Sequence, residues 1–315
     1  MRILVTQVSK FGSICFIKSL KKIKRNNMTI MGFDYLEKGC TSGSLLVDQY
    51  FINPIKDLNE DYVSYVINLC ELHSIDLLIS VVDDEMLLIS QNRNRINAKI
   101  VMPSHELMML FRDKLEATLA MQEIGIPTPR IINDLSSATK VIFRDKISAG
   151  SRGIYTVDLS SAQYIENRFK PSVFIQEFIE GTEYTVDVFA DAEGVPKVII
   201  PRVRISTLNG MSFICRTENK PVMIDLCKLI YSTYKIPGLS NVQFIEKDGL
   251  EYFIELNPRI AGTAIASILS SFNYVELFIE HFLKNKSLES LDSYMQYVAW
   301  GSIISRFYDE LIWKN

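Results

Sequence analysis

Tyr252-Phe253-Ile254-Glu255-Leu256-Asn257-Pro258-Arg259 decides how this chain reads. It is an apolar, β-type run in which an acid, an amide and a base recur at every second position. Alternate side chains of a strand share a face, so Glu255, Asn257 and Arg259 project together, about 6–7 Å apart per step. A carboxylate and an amide oxygen are hard ligands suited to Mg²⁺, and an arginine beside them suits a phosphate or acyl phosphate. Read alone, the run also fits a solvated face of an edge strand, so the rest of the chain has to discriminate.

The hairpin that leads into this run sets a register question. Asn241–Glu246 and Glu251–Asn257 are two strands joined around Asp248-Gly249. A two-residue turn pairs Lys247 with Leu250 and leaves Gln243 opposite Ile254. A three-residue loop, Lys247-Asp248-Gly249 with Gly249 left-handed, pairs Glu246 with Leu250 and brings Gln243 onto the face of Glu255 and Asn257. The three-residue loop is the expectation, because it gathers three oxygen ligands.

The chain has 315 residues, enough for two or three domains. Its 48% apolar and 23% charged residues are those of a globular protein, and a net charge of -3 gives no global attraction to nucleic acid or membrane. Five scattered cysteines without a Cys-x-x-Cys pair argue against a disulfide framework and for a reducing compartment. His73, His105 and His281 have no metal-ligand spacing. Met1-Arg2 runs directly into Ile3-Leu4-Val5 without the pattern of a secretory signal, and no apolar stretch approaches the ~20 residues of a membrane span. The expected location is the cytoplasm.

The first hundred residues alternate apolar strands (Arg2–Thr6, Thr29–Phe33, Asp76–Val82, Ile100–Met102) with amphipathic helices (Gly12–Ile23, Tyr62–His73). That is the pattern of a parallel, doubly wound α/β sheet. The turn Gln7-Val8-Ser9-Lys10-Phe11-Gly12 lacks the glycines of a dinucleotide fingerprint, and only Asp34 matches a ribose partner. A helix from about Ser104 to Glu123 should stop at Gly125-Ile126-Pro127-Thr128-Pro129. A β-rich α+β part follows, with a helix over Ser161–Arg168 and another over Pro221–Tyr234, then a mostly helical Ala261–Asn285 and a last strand within Tyr294–Ser305.

Ser148-Ala149-Gly150-Ser151-Arg152-Gly153 joins two strands, so it is not a Walker-type loop, but its backbone N–H groups can lie over phosphates. Arg152, and Arg144 on the preceding strand, add positive charge. The strand Phe174-Ile175-Gln176-Glu177 leaves into Phe178-Ile179-Glu180-Gly181-Thr182-Glu183, an exit where adenine can meet backbone between apolar walls and Glu183 can accept from ribose.

In order along the chain, Asp113-Lys114, Gly125-Ile126-Pro127-Thr128-Pro129, Ala149–Gly153, Gln176-Glu177 with Gly181 and Glu183, Asn241-Val242-Gln243-Phe244 and Glu255–Arg259 resemble the ATP-grasp superfamily. The likeness is nearest to the carbamoyl-phosphate-synthetase-like branch and its carboxylate–amine ligase relatives. It implies a doubly wound pre-ATP-grasp domain at 1–112, a small ATP-grasp lobe at 113–181 and a large lobe at 182–315. It also implies residue roles. Lys114, Arg144 and the Ser148–Gly153 loop hold ATP phosphates. Gln176, Glu177, Phe178 and Ile179 take adenine, and Glu183 the ribose. Gln243, Glu255 and Asn257 bind Mg²⁺, with Mn²⁺ as a substitute. Arg259 stabilises the transferring phosphoryl group. Arg144-Asp145 departs from the family's common Lys-Pro but keeps the charge.

The implied reaction is phosphorylation of a carboxylate by ATP and capture of the acyl phosphate by an amine, giving an amide, ADP and phosphate. Arg202 or Arg204 is a candidate for the substrate carboxylate, and Asp83 and Glu85 for the amine. The partners are small molecules, not nucleic acid or membrane, with a homodimer as an assembly common among similar proteins. One subunit of a split carbamoyl-phosphate-synthetase-like enzyme and a nucleotide-binding protein without turnover are the alternatives.

Overall fold

The computed structural model describes residues 1–133, 140–148, 154–158, 172–307 and 309–314. The phosphate-loop residues Ala149, Gly150, Ser151, Arg152 and Gly153 and the helix expected at Ser161–Arg168 lie outside the described residues.

The first sheet is built from β1 (Arg2–Val5), β2 (Thr29–Asp34), β3 (Gln49–Ile52), β4 (Leu77–Ile79) and β5 (Lys99–Ile100). Its order is β3-β2-β1-β4-β5, and every pairing is parallel. Strand residues alternate between two apolar clusters. Ile3, Val5, Leu77 and Ile79 face one that contains Phe16 and Ile17 of α1 (Phe11–Ile23). Leu4, Met31 and Leu78 face another with α3 (Glu60–Leu72) and α4 (Asp83–Gln91), since α2 (Ser42–Leu46) is one short turn. Burial on both faces is why the central residues of β1, β2 and β4 are apolar without alternation. Strand β3 was not anticipated; it is an edge strand with exposed Gln49 and Ile52, so it lacks that signal.

The helix expected over Ser104–Glu123 is two helices, α5 (His105–Arg112) and α6 (Lys114–Glu123). Asp113 breaks it with an extended backbone (φ −84°, ψ 111°) and caps α6, accepting from the N–H groups of Leu115 at 2.9 Å and Glu116 at 3.2 Å. The break turns Lys114 out of the helix line, and its own N–H is taken by the Lys146 carbonyl at 2.8 Å.

A small antiparallel sheet follows, β7-β6-β8, from β6 (Lys140–Asp145), β7 (Ile154–Asp158) and β8 (Val173–Glu177). The third sheet is antiparallel, in the order β13-β12-β9-β10-β11-β14. It comprises β9 (Thr182–Ala190), β10 (Pro196–Leu208), β11 (Met211–Thr217), β12 (Gly238–Lys247), β13 (Leu250–Asn257) and β14 (Ile303–Ser305). Helix α7 (Pro221–Tyr234) buries Met223, Cys227, Ile230 and Tyr231 against it.

Three further expectations change. Ala261–Asn285 divides into α8 (Ile265–Leu269) and α9 (Tyr274–Lys284), because Ser270 and Ser271 hydroxyls donate back to the carbonyls of Ala266 (3.0 Å) and Ser267 (2.6 Å) and the chain turns there. Tyr294–Ser305 is strand only at β14, after a short α10 (Leu291–Met295). The three-residue hairpin loop is overturned. Lys247 pairs with Leu250, and Asp248 and Gly249 both have positive φ (51° and 78°), the type I′ geometry whose twist matches the strands. Among the described residues, no helix is long and apolar enough to cross a membrane.

Candidate active site

The two-residue turn alone would leave Gln243 opposite Ile254. Instead, pairing runs Phe244 to Phe253 and then Gln243 to Glu255, so Ile254 is the extra residue of a β-bulge. The bulge restores the face that the turn denies, and Gln243 Nε2 donates to Glu255 Oε1 at 2.7 Å. From the other side Asn257 Nδ2 donates to the same oxygen at 2.9 Å. Ile254 and Glu255 both line one cavity of about 460 Å³ between the small sheet and the six-stranded sheet.

One end of that cavity is polar. Arg259 grips Asp83 with two hydrogen bonds, Nε–Oδ1 2.7 Å and Nη2–Oδ2 3.1 Å, and its Nη2 also donates to Asn257 Oδ1 at 3.4 Å. Burial works against the Arg259 charge, but Asp83 outweighs it and holds the guanidinium more firmly protonated than usual. Asn241, which sequence reasoning left without a role, accepts from Asn257 Nδ2 at 3.3 Å and donates to the Arg259 carbonyl at 3.1 Å. Its period-two spacing from Gln243 was the available signal. From the small sheet, Arg144 reaches over with Nη2 3.6 Å from Glu255 Oε2. Its Nη1 donates to Gln176 Oε1 at 3.3 Å, while its buried Nε has no hydrogen-bond partner among the described residues. Burial lowers the Arg144 pKa, opposed by Glu255. Lys114 donates to the Ser148 carbonyl and, at 3.2 Å, to Ser148 Oγ; burial lowers its pKa too, again opposed by Glu255.

The other end is an apolar slot between Ile142, Phe178, Ile179 and Ile254. Glu177 lines it, but its carboxylate is held by Arg130, which donates through Nε at 2.7 Å and its backbone N–H at 2.9 Å. Gln176, buried but among the residues lining the cavity, ties Arg144 to Thr118. Glu183, half exposed, is 2.7 Å from Arg204 Nη1, and Arg204 Nη2 donates to the Gly210 carbonyl at 2.6 Å.

Two candidates move out of the site. Arg202 is fully buried and does not line the cavity. It is bonded to Asp187 Oδ2 (2.8 Å) and Thr263 Oγ1 (3.1 Å), so it cannot reach a substrate carboxylate, and only Arg204 of the two lines the space. Glu85 is fully buried and accepts from Thr6 (2.6 Å), Ser80 (2.5 Å) and Tyr62 hydroxyls, which closes the crevice between β1 and β4. Asp34 is likewise taken up by the N–H groups of Ser9 and Tyr35, leaving no free ribose partner there.

The donor set fits a Mg²⁺–nucleotide. Among the described residues no three His, Cys, Asp or Glu side chains cluster. One carboxylate flanked by two amides, with cationic Lys114 and Arg144 opposite, is instead a partial cage that a phosphate chain completes. A half turn of either amide aims its oxygen where its nitrogen now points.

A family model described as ATP-grasp in the biosynthetic pathway with Ter operon matches residues 169–300. The carbamoyl phosphate synthase large chain of Thermoanaerobacter pseudethanolicus is 26% identical over 222 residues, 62% of this chain and 20% of that one. The chain thus spans about a fifth of the length of the curated relatives it matches. Among solved structures, biotin carboxylase from Campylobacter jejuni as a β,γ-ATP complex aligns with TM-score 0.69 at 17% identity, over 93% of this chain and 72% of that one. The biotin carboxylase domain dimer of Hydrogenobacter thermophilus 2-oxoglutarate carboxylase, with MgADP, ADP and bicarbonate, aligns with TM-score 0.74 at 13% identity, over 96% and 73%. The family match over residues 169–300, the parallel sheet and the two antiparallel sheets with the cavity between them together support membership of the ATP-grasp superfamily.

Proposed function

We propose that this chain is an ATP- and Mg²⁺-dependent carboxylate–amine ligase, with Mn²⁺ able to replace Mg²⁺. The observation that carries the reading is the convergence of Gln243 and Asn257 on Glu255, with Arg144, Lys114 and Arg259 around it, at the polar end of a cavity whose other end is an apolar slot. In this reading adenine lies in the slot beside Phe178 and Ile179, Glu183 takes the ribose, and Lys114 and Arg144 take phosphates, with Ser148–Gly153 as the lid. Gln243, Glu255 and Asn257 hold the Mg²⁺, which supplies charge neutralisation across the phosphates.

Arg204 is assigned the substrate carboxylate and Arg259 the transferring phosphoryl group. A carboxylate oxygen attacks the γ-phosphorus as the bond to ADP breaks. The amine nitrogen then attacks the acyl carbon, the C–O bond to phosphate breaks, and the amine proton leaves to solvent. We place the domain boundaries at 112/113 and 181/182. A reducing compartment fits the five free cysteines, and a homodimer is the assembly proposed.

The test is ADP release across a panel of carboxylates, with and without amines. Turnover that needs both supports ligation. Nucleotide binding without turnover across the panel replaces the reading with a binding role. Glu255→Gln should lower turnover about 10²-fold; near-normal activity would remove Glu255 from the metal site. The likeness to carbamoyl phosphate synthase large chains favours a second reading, part of a split enzyme of that kind, which turnover on bicarbonate and ammonia alone would select.

A further inference from the structure

A second cavity, of about 470 Å³, lies on the opposite side of the β13 end, against α4 and α5. It shares Lys114, Ser148, Glu255 and Asn257 with the first cavity. Arg259 lines only the first cavity, and Asp83 lines only the second. Their two-bond ion pair therefore spans the wall between the chambers. We propose that this ion pair is an exchangeable partition: a phosphoryl group in the first chamber takes Arg259 from Asp83, and the released Asp83 carboxylate then binds a primary amine carrying an apolar group in the second chamber. The proposal rests on the ligase reading and names the co-substrate class for it.

The wall chemistry argues for this exchange. A guanidinium held by one carboxylate meets a stronger bidentate acceptor when phosphate oxygens arrive beside it. Asp83 is the first residue of α4, where the helix's free N–H groups favour a negative charge. The other charges at the chamber already have partners. Asp84 accepts from Arg112 Nε at 3.0 Å, and the Lys114 ammonium is turned to Ser148. Glu255, which also lines the chamber, is held by Gln243 and Asn257 and is assigned to Mg²⁺ in the ligase reading, which leaves Asp83 as the anion whose partner the nucleotide removes. The remaining wall offers Met108, Phe111, Ile147 and Pro258, which suit an apolar substituent. Charge stays balanced throughout, because each ion of the resting pair gains a new counter-ion as it loses the old one.

Isothermal titration separates this from the parent reading. The protein is first titrated with the non-hydrolysable ATP analogue AMPPNP and Mg²⁺; no binding overturns the nucleotide-site reading and this proposal with it. If AMPPNP binds, phenethylamine is the probe for the second chamber. Its affinity should rise at least about fivefold when Mg²⁺–AMPPNP is present, and by linkage it should tighten AMPPNP by the same factor. Asp83→Asn should abolish that coupling while leaving AMPPNP affinity the same or tighter, since Arg259 is freed; Asp83→Glu should retain coupling. Equal phenethylamine affinity with and without the analogue, or coupling that survives in Asp83→Asn, overturns the exchange and leaves the ligase reading standing.

Discussion

Arg202 and Glu85 show how one residue type carries opposite meanings at different depths. Arg202 sits two positions before Arg204 on β10, with the same charge, yet it is fully buried against Asp187 while Arg204 lines the cavity. Its pair with Asp187 is extended by Ser267 and Tyr274, a network below the site rather than in it. Burial likewise raises the Glu85 pKa, with Asp34 adding to the rise and the Ser80, Thr6 and Tyr62 hydroxyls opposing it. The sign of the stability effect follows. A carboxyl whose folded pKa lies above its unfolded value contributes fully below the unfolded value, about 4.3, and that contribution is lost as pH rises through the folded value. Glu85→Gln keeps acceptor and donor sites for the three hydroxyls and removes the charge. Urea denaturation between pH 4 and 8 should show its stability relative to wild type improving as pH rises. A difference that stays constant or moves the other way would mean Glu85 is ionised at no cost.

At the scale of elements, small backbone devices aim the site. Asp113 splits one helical pattern into two and so directs Lys114 toward Ser148. Asp113→Ala should cost about 1 kcal/mol, the usual worth of an N-cap, whereas Asp113→Ser should cost little; thermal melts decide. The hairpin is the sharper case. Asp-Gly selects a two-residue type I′ turn, and the resulting register keeps Gln243 off the face of Glu255 and Asn257 until Ile254 bulges out. The exposure pattern of β13 records this, since Ile254 and Glu255 are two consecutive half-buried residues in an otherwise alternating strand. Gly249 has φ +78° and open space around it, so Gly249→Ala meets only backbone strain. It should lower stability by roughly 1 kcal/mol without changing AMPPNP affinity. A change in affinity would mean that the turn, not the bulge, holds the register.

Over the whole molecule, the N-terminal sheet and the six-stranded sheet share one apolar cluster. Phe278 of α9 packs edge-on against Phe16 of α1 at 5.8 Å and against Phe189 of β9 at 6.2 Å. After Arg259, Gly262 lies so close to α1 that a Cβ there would come within 2.7 Å of Phe11, which fixes the direction in which the Arg259 loop leaves. The described core of the small sheet, by contrast, is Ile132, Val141 and Phe143 with a few half-buried neighbours. Little buried apolar surface means a low cost of local opening. Amide hydrogen exchange in β6 and β8 should therefore outpace that in β9, β10 and β12. Mg²⁺–AMPPNP should slow it in wild type and much less in Glu255→Gln, because binding stabilises only the closed form. Equal slowing in both proteins would detach Glu255 from nucleotide binding.

What the sequence determined by itself was the order of the parts. Strand–helix alternation, the Pro-Thr-Pro linker, the strand exit at Phe178–Glu183 and the Glu-x-Asn-x-Arg run are local patterns, and local patterns specify element type and composition. What only the tertiary structure decided were contacts between segments far apart in sequence. Asp83 meets Arg259 across 176 positions, Arg202 is sealed under the sheet, and the pairing of Gln243 with Glu255 depends on a bulge rather than on turn length. The physical reason is that burial, ion-pair partner and strand register are properties of two or more segments packed together, so no single segment encodes them.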